Sequence, residues 1–279
     1  KTVLTPTAAT SITETSSTPT ARCILRRGKE ESLLRFHPWI FSGAIYSMEG
    51  TPAEGDLVDV YTSQGDFIAR GHYQIGSITI RVLSFIDETI DQSWWNERIE
   101  LAYHMREALG LTNNPQTTCY RLVHGEGDSL PGLVIDIYGT TAVVQCHSVG
   151  MYRSRKAICT ALRNVYRDRV KSIFDKSGGT LPYNAGLNAQ DGYLWGEANA
   201  SSEPVLENGN RFMVNWEQGQ KTGFFIDQRE NRDLVRRYAK GRTVLNTFCY
   251  TGGFSVYALA GGALQVDSVD SSELAVQLA

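Results

Sequence analysis

Thr243-Val244-Leu245-Asn246-Thr247-Phe248-Cys249-Tyr250-Thr251-Gly252-Gly253-Phe254 is the stretch on which the fold turns. Its first six residues are a short apolar run, which predicts a buried strand. The chain then turns through Cys249–Gly253 into a helical segment over Phe254–Ala260. After Gly261-Gly262, Leu264–Val269 reads as a second strand, and an acid, Asp270, follows at its carboxyl end. Strand, glycine turn, helix, strand and acid are the first half of a nucleotide-binding α/β unit. Gly252 and Gly253 lack a Cβ, so a ligand can approach the backbone, and the helix N-terminus offers free N–H groups to an anion. Asp270 stands where a carboxylate can accept hydrogen bonds from both ribose hydroxyls of an adenosine. A dinucleotide fold calls for Gly-x-Gly-x-x-Gly, and this turn has only the adjacent pair, which disfavours NAD.

Working outward, Asp227 followed by Glu230 has the spacing of a capping box and predicts a helix from Gln228. Leu234, Val235 and Tyr238 mark its apolar stripe, and Gly241 is placed to end it. Upstream lies Gln220-Lys221-Thr222-Gly223-Phe224-Phe225, followed by Asp227-Gln228-Arg229. This segment and Leu245–Phe254 together resemble the class I S-adenosylmethionine-dependent methyltransferases of large-subunit ribosomal RNA. The nearest group is the bacterial cytosine-C5 type with an N-terminal PUA domain, and the likeness covers about residues 22 to 279. It implies S-adenosyl-L-methionine as cofactor and ribosomal RNA as partner. It further implies a cofactor site of Asn246, Phe248, Tyr250, Thr251, Gly252, Gly253 and Asp270, with Lys221, Phe224 and Arg229 covering the methionyl end. Arg229 is a candidate for the methionyl carboxylate, or equally a salt-bridge partner of Glu230 or Asp233.

The expected architecture is multidomain: a tail over 1–20, a PUA-like small β-barrel over 21–90, a central α+β domain over 91–198, and the start of a Rossmann-like methyltransferase domain over 199–279. The tail holds eight Thr, three Ser and two Pro, with too few large apolar residues to offset its ordering entropy, and is expected to be disordered. In the barrel, Leu57–Tyr61 alternates, Ser63–Asp66 turns and Phe67–Arg70 returns as a hairpin, followed by a strand marked by Ile78, Ile80 and Val82. Ser93 as N-cap and Gly110 as stop bound a helix whose Trp95, Ile99, Ala102 and Leu109 share a face, with core burial favoured over base stacking for the paired tryptophans. Leu133–Tyr138 and Ala142–Cys146 form a hairpin, a helix follows on Met151, Ile158, Leu162 and Val165, and Val170–Phe174 is a further strand. Asn208-Gly209 signals another hairpin within Glu203–Trp216.

Net charge is −3, so any RNA contact must come from local patches rather than from global charge. Candidates are Arg26, Arg27, Lys29, Arg35 and Arg70 in the barrel, and Arg153, Arg155, Lys156, Arg163, Arg167, Arg169 and Lys171 beyond it, opposed locally by Asp168 alone. Scattered surface charge and a solvated helix face are the competing readings. His37 and Trp39 are either RNA contacts or packing residues. His124-Gly125-Glu126-Gly127-Asp128 is either an acid–base trio or, preferably, a glycine-rich turn.

Five dispersed cysteines without a C-x-x-C pair suggest neither a disulfide framework nor zinc, and fit a reducing cytoplasm. No apolar run is long enough to span a membrane. In the resembling enzymes a cysteine thiolate adds to C6 of cytosine, and it lies in strands after the second, together with the base-holding loop. The chain ends nine residues beyond Asp270, so a truncated chain is expected and no catalytic residue is assigned. Cys249, the cysteine nearest the turn, sits at the methionine end rather than where a base would enter. Two other functions stay open: an RNA-binding module with a degenerate nucleotide fold, and a methyltransferase acting on another position such as guanine N2. The oligomeric state, a homodimer included, also stays open.

Overall fold

The computed structural model describes residues 16–182, 187–198 and 204–279. The first fifteen residues of the expected tail, and the expected boundary at 199, lie outside them. The chain is already ordered at Thr20, whose N–H donates to the Leu57 carbonyl at 2.9 Å.

The N-terminal unit contains β1 (Ala21–Leu25), α1 (Glu31–Leu34), β2 (Trp39–Phe41), β3 (Ile45–Glu49), β4 (Leu57–Tyr61), β5 (Phe67–Tyr73) and β6 (Ile78–Ser84). Its strands form one sheet in the order β2-β6-β5-β4-β1-β3. The expected β4–β5 hairpin is antiparallel, whereas β1 pairs with β4 in parallel. Alternating residues from the strands (Cys23, Leu25, Val58, Val60, Ile80, Val82) close a core of their own. Arg70, expected as a phosphate contact, is instead buried. Its guanidinium donates to Asp59 at 2.6 Å, to Asp87 at 2.9 Å and to the Glu88 carbonyl. The acids that claim it come from a neighbouring strand and the following loop, beyond the reach of a local pattern.

In the central unit, α2 (Gln92–Ala108) packs on a sheet of β7 (Cys119–His124), β8 (Leu133–Tyr138), β9 (Thr141–Cys146), β10 (Ser172–Asp175) and β11 (Gly192–Trp195), ordered β11-β10-β9-β8-β7. The helices α3 (Val149–Arg153) and α4 (Arg155–Tyr166) link β9 to β10. The cap of α2 is Asp91, which accepts from the N–H groups of Ser93 and Trp94, so the cap lies two residues before the expected Ser93. Trp95, Ile99 and Ala102 are buried as expected, while Leu109 lies past the last turn and is 68% exposed. Trp94 and Trp95 pack edge to face at 4.9 Å within the core, which leaves no face for a base. The two units are locked together where Gly150 of α3 seats on the His72 ring of β5. A Cβ at Gly150 would lie 2.1 Å from that ring.

The third unit opens with a hairpin, β12 (Val205–Glu207) and β13 (Asn210–Phe212). Its turn residues Asn208 and Gly209 have φ of 48° and 79°, the left-handed pair that a two-residue turn needs. Then come α5 (Arg229–Tyr238), β14 (Thr243–Thr247), α6 (Gly253–Ala260), β15 (Gln265–Val269) and α7 (Glu273–Leu278), with β14 and β15 parallel. Two details differ from expectation. A 3₁₀ turn over Ile226–Gln228 precedes α5, and Asp227 accepts from the Gln228 side chain instead of capping, so the capping box is not formed. The inward face of α5 is charged: Arg232 and Asp233 are buried, whereas Leu234 and Tyr238 face solvent. Nor is β14 buried, since the described residues cover this two-stranded sheet with few layers and Leu245 is 65% exposed.

Candidate cofactor site

Beyond β14 the backbone takes positive φ at Phe248 (58°), Tyr250 (49°) and Gly252 (71°) before α6 begins. Two of these are aromatic residues, for which that conformation is costly and persists only where neighbours hold it. At Tyr250 the Asp270 carboxylate holds it. It accepts from the Tyr250 N–H at 2.7 Å and from the Ser272 N–H at 2.9 Å. These backbone donors keep the Asp270 pKa below the usual carboxylate value. The Tyr250 hydroxyl accepts from the Gln220 N–H at 3.0 Å and donates to the Gly223 carbonyl at 3.2 Å, and its ring meets Phe225 edge on. Tyr250 thus ties the acid at the end of β15 to the Gln220–Phe225 loop.

The other expected site residues fall into three groups. Asn246 donates to Ser255 at the start of α6, and Ser255 bonds Ser268 of β15, so this trio fixes strand, helix and strand. Thr251, Gly252 and Gly253 are buried in the turn. A Cβ on Gly253 would meet the Arg232 side chain at 3.1 Å, and one on Gly252 would meet Ala279 at 2.9 Å. No side chain caps α6, so its first N–H groups are open to an anion. Phe248 projects into solvent, 91% exposed. Lys221 is exposed with φ of 54°. Phe224 is packed into the core between Phe212 and the Arg232 guanidinium, away from any ligand surface. Arg229 pairs loosely with Glu230 at 3.3 Å, but its Nη1 is buried without a partner. Such an orphaned charged donor suits an anionic ligand group.

Arg232 was not foreseen. It is buried, donates to both Glu207 oxygens at 2.8 and 2.7 Å and to the Phe225 carbonyl at 3.0 Å, and backs Gly253. Nothing in the spacing of α5 signals this, because its acid partner stands on the β12–β13 hairpin.

The long basic cluster is divided: Arg153 and Arg155 face acids and are partly buried, while Lys156, Arg163, Arg167, Arg169 and Lys171 are exposed. Arg153 binds Asp56 at 2.7 Å, Arg155 lies 3.6 Å from Asp175, Arg163 covers the Trp195 ring, and Arg169 stacks on Tyr103. The His124–Asp128 loop is a 3₁₀ turn fixed by Asp128, which binds Arg106 and the His124 N–H. All five cysteines are buried and reduced. Burial raises every thiol pKa, that of Cys23 to about 12, so none is poised as a thiolate. Among the described residues no group of His, Cys, Asp and Glu is arranged for a metal ion.

An uncapped helix after a glycine turn, with an acid at the end of the next parallel strand, is the arrangement expected of a nucleotide-binding α/β unit. Residues 186–277 match the family model of S-adenosylmethionine-dependent methyltransferases, and residues 23–85 match that of PUA-like domains. Among curated proteins, the chain is similar to ribosomal RNA large subunit methyltransferase I of Erwinia tasmaniensis, 42% identical over 262 residues, and to its namesake in Escherichia coli K12, 40% identical over 260. These alignments take in 93% and 92% of this chain but 65% of either relative, so the chain spans about two-thirds of their length or slightly less. Among solved structures, a protein of Streptococcus mutans described as a SAM-dependent methyltransferase superposes with a TM-score of 0.77 at 26% identity, covering 92% of this chain and 65% of that one. Another methyltransferase structure, complexed with SAH, gives 0.78 at 26% identity, covering 92% and 64%. The fold is therefore a PUA-like β domain joined through a central α+β unit to a methyltransferase-type α/β unit.

Proposed function

We propose that the protein is an S-adenosylmethionine-dependent methyltransferase of large-subunit ribosomal RNA, with C5 of cytosine as its target and the cytoplasm as its site of action. The observation that carries this is the Asp270 carboxylate, clamped at the end of β15 by Tyr250 and Ser272 beside the glycine turn. Asp270 would take the ribose hydroxyls, the uncapped start of α6 and the orphaned Arg229 Nη1 would take the methionyl carboxylate, and Gly252 and Gly253 would pass beneath the methionine. The residues present fit the cofactor, which supplies an electrophilic methyl group when bound. Asn246, Ser255 and Ser268 keep strand and helix at a fixed spacing. The chain's own thiols are buried with raised pKa values, so addition to C6 of cytosine is not assigned to any of them. The names of the relatives support ribosomal RNA as substrate, and the PUA-like domain supports RNA binding.

The test is calorimetry with S-adenosylmethionine, followed by transfer of labelled methyl groups to naked ribosomal RNA and mapping of the modified base. Absence of cofactor binding would remove the methyltransferase reading. Label at another base position would keep the class and overturn cytosine C5.

A further inference from the structure

A cleft away from the glycine turn lies between the N-terminal and central units. It is lined by Arg81 of β6, by His124, Gly125 and Glu126 at the end of β7, by Gly132, Leu133 and Val134 at the start of β8, and by His147 just after β9. Lys221 and Arg121 stand within electrostatic reach of His147. Loss of solvent first, and then these two cations, hold the His147 pKa below the ordinary imidazole value.

The charges around the cleft do not cancel. Arg121 is neutralised by Asp136, through bonds of 2.8 and 3.0 Å. Glu126, the acid on the rim, accepts from the Trp39 indole N–H at 2.8 Å but keeps its charge and acts on Arg81. Arg81 donates only to the neutral Gln74 side chain, and neither Arg81 nor Lys221 has an ion-pair partner among the described residues. Arg81 and two imidazoles thus face a groove with one acid, Glu126, on its rim, and Lys221 adds a second positive charge within reach of His147. Beside it, His37, Trp39 and Phe41 form a surface aromatic cluster with ring centroids 5.8 to 6.4 Å apart. Bases stack on such faces while cations hold the backbone between them.

We infer that the cleft lined by Arg81, His124 and His147, with Lys221 within electrostatic reach of it, binds a phosphate of the RNA strand, with the adjoining base against the Trp39 cluster. This rests on the RNA methyltransferase reading and moves Lys221 from the cofactor to the substrate. Lys221 is well placed for it. The residue before it bonds Tyr250 of the glycine turn and the residue after it bonds Asp136 of the central sheet. A strand gripped there is delivered beside the cofactor site.

The experiment measures binding of a short single-stranded RNA against salt for Arg81→Gln, Lys221→Gln, the double variant and Lys221→Arg, with Lys240→Gln as a control for loss of an exposed charge. Each lost phosphate contact is expected to flatten the slope of log K against log salt by about 0.7, with Lys221→Arg and Lys240→Gln keeping the parent slope. Cofactor affinity, measured in parallel, is expected to stay unchanged. Unchanged slopes in both glutamine variants, when the parent binds RNA, would overturn the cleft alone. Loss of cofactor affinity in Lys221→Gln with an unchanged slope would return Lys221 to the cofactor. A parent protein that binds no RNA would overturn the RNA reading and the cleft together.

Discussion

Replacing Glu207 by Leu tests how the glycine turn is supported. Glu207 is fully buried, and both its oxygens are taken by Arg232, whose side chain is 3% exposed. The Phe225 carbonyl and the rings of Phe224 and Phe254 would still face the guanidinium in the variant, but no acid would. Breaking one side of a buried, doubly bonded pair leaves an uncompensated charge and costs about 3–5 kcal/mol. Replacing both partners with apolar residues of similar size, Glu207→Leu with Arg232→Met, is expected to recover most of that loss, because the desolvation of both charges is removed together. Urea unfolding followed by circular dichroism measures the pair and the single variants in one cycle. Because Arg232 lies directly behind Gly253, the single variant is also expected to weaken cofactor binding. A loss of about 1 kcal/mol or less in the single variant, or a double variant no better than the single, would show that the pair is not the support inferred for it.

Asp270→Ala is expected to weaken S-adenosylmethionine binding by about 1–3 kcal/mol through unpaired hydroxyls, as read by calorimetry. Because its folded pKa is depressed, the Asp270 clamp contributes above the ordinary carboxylate value and is lost only as pH falls through the lower folded one. An NMR titration should place its midpoint below 3.8. Buried His72, without a partner on either ring nitrogen, has its pKa lowered to about 3 from 6.5, chiefly by burial and then by Arg153 and Arg81. The unfolded chain then binds the extra proton first, so stability should fall as pH drops from about 6.5 toward 3, and His72→Phe should flatten that limb of an acid-unfolding curve. Alkylation of the native protein with iodoacetamide should label its cysteines slowly, and rapidly once denaturant is added, since all five are buried.

The order of the elements was largely legible in the sequence. Alternation gave the β4–β5 and β8–β9 hairpins, Asn208-Gly209 gave the β12–β13 turn, and Gly252-Gly253 with Asp270 gave the β14–α6–β15 unit. Charge was legible only as composition. Arg70, Arg153 and Arg232 each look like solvent-facing cations along the chain, and each is claimed by an acid distant in sequence: Asp59, Asp56 and Glu207. Local periodicity cannot see such a partner, which is why Arg70 and Arg153 read as phosphate contacts and α5 read as an apolar-faced helix. The cleft at Arg81 and His147 escaped for the same reason in reverse, since its lining comes from units far apart in the chain. Tyr250 was placed near the cofactor by its motif. Its hold on the Gln220–Phe225 loop came from packing alone.

That loop is fastened at both ends to different bodies. Gln220 hangs from the Tyr250 hydroxyl, and Thr222 hangs from Asp136, with Tyr138 bonded to the same Thr222 hydroxyl. The span between the two anchors is a single residue, Lys221, already in a left-handed conformation. A tether that short has no slack. The central sheet cannot swing relative to the glycine turn without first breaking one anchor, so the two move as one lever or separate in a discrete step. If RNA alters which of these occurs, cofactor affinity must change with it, and the cofactor must change RNA affinity by the same factor.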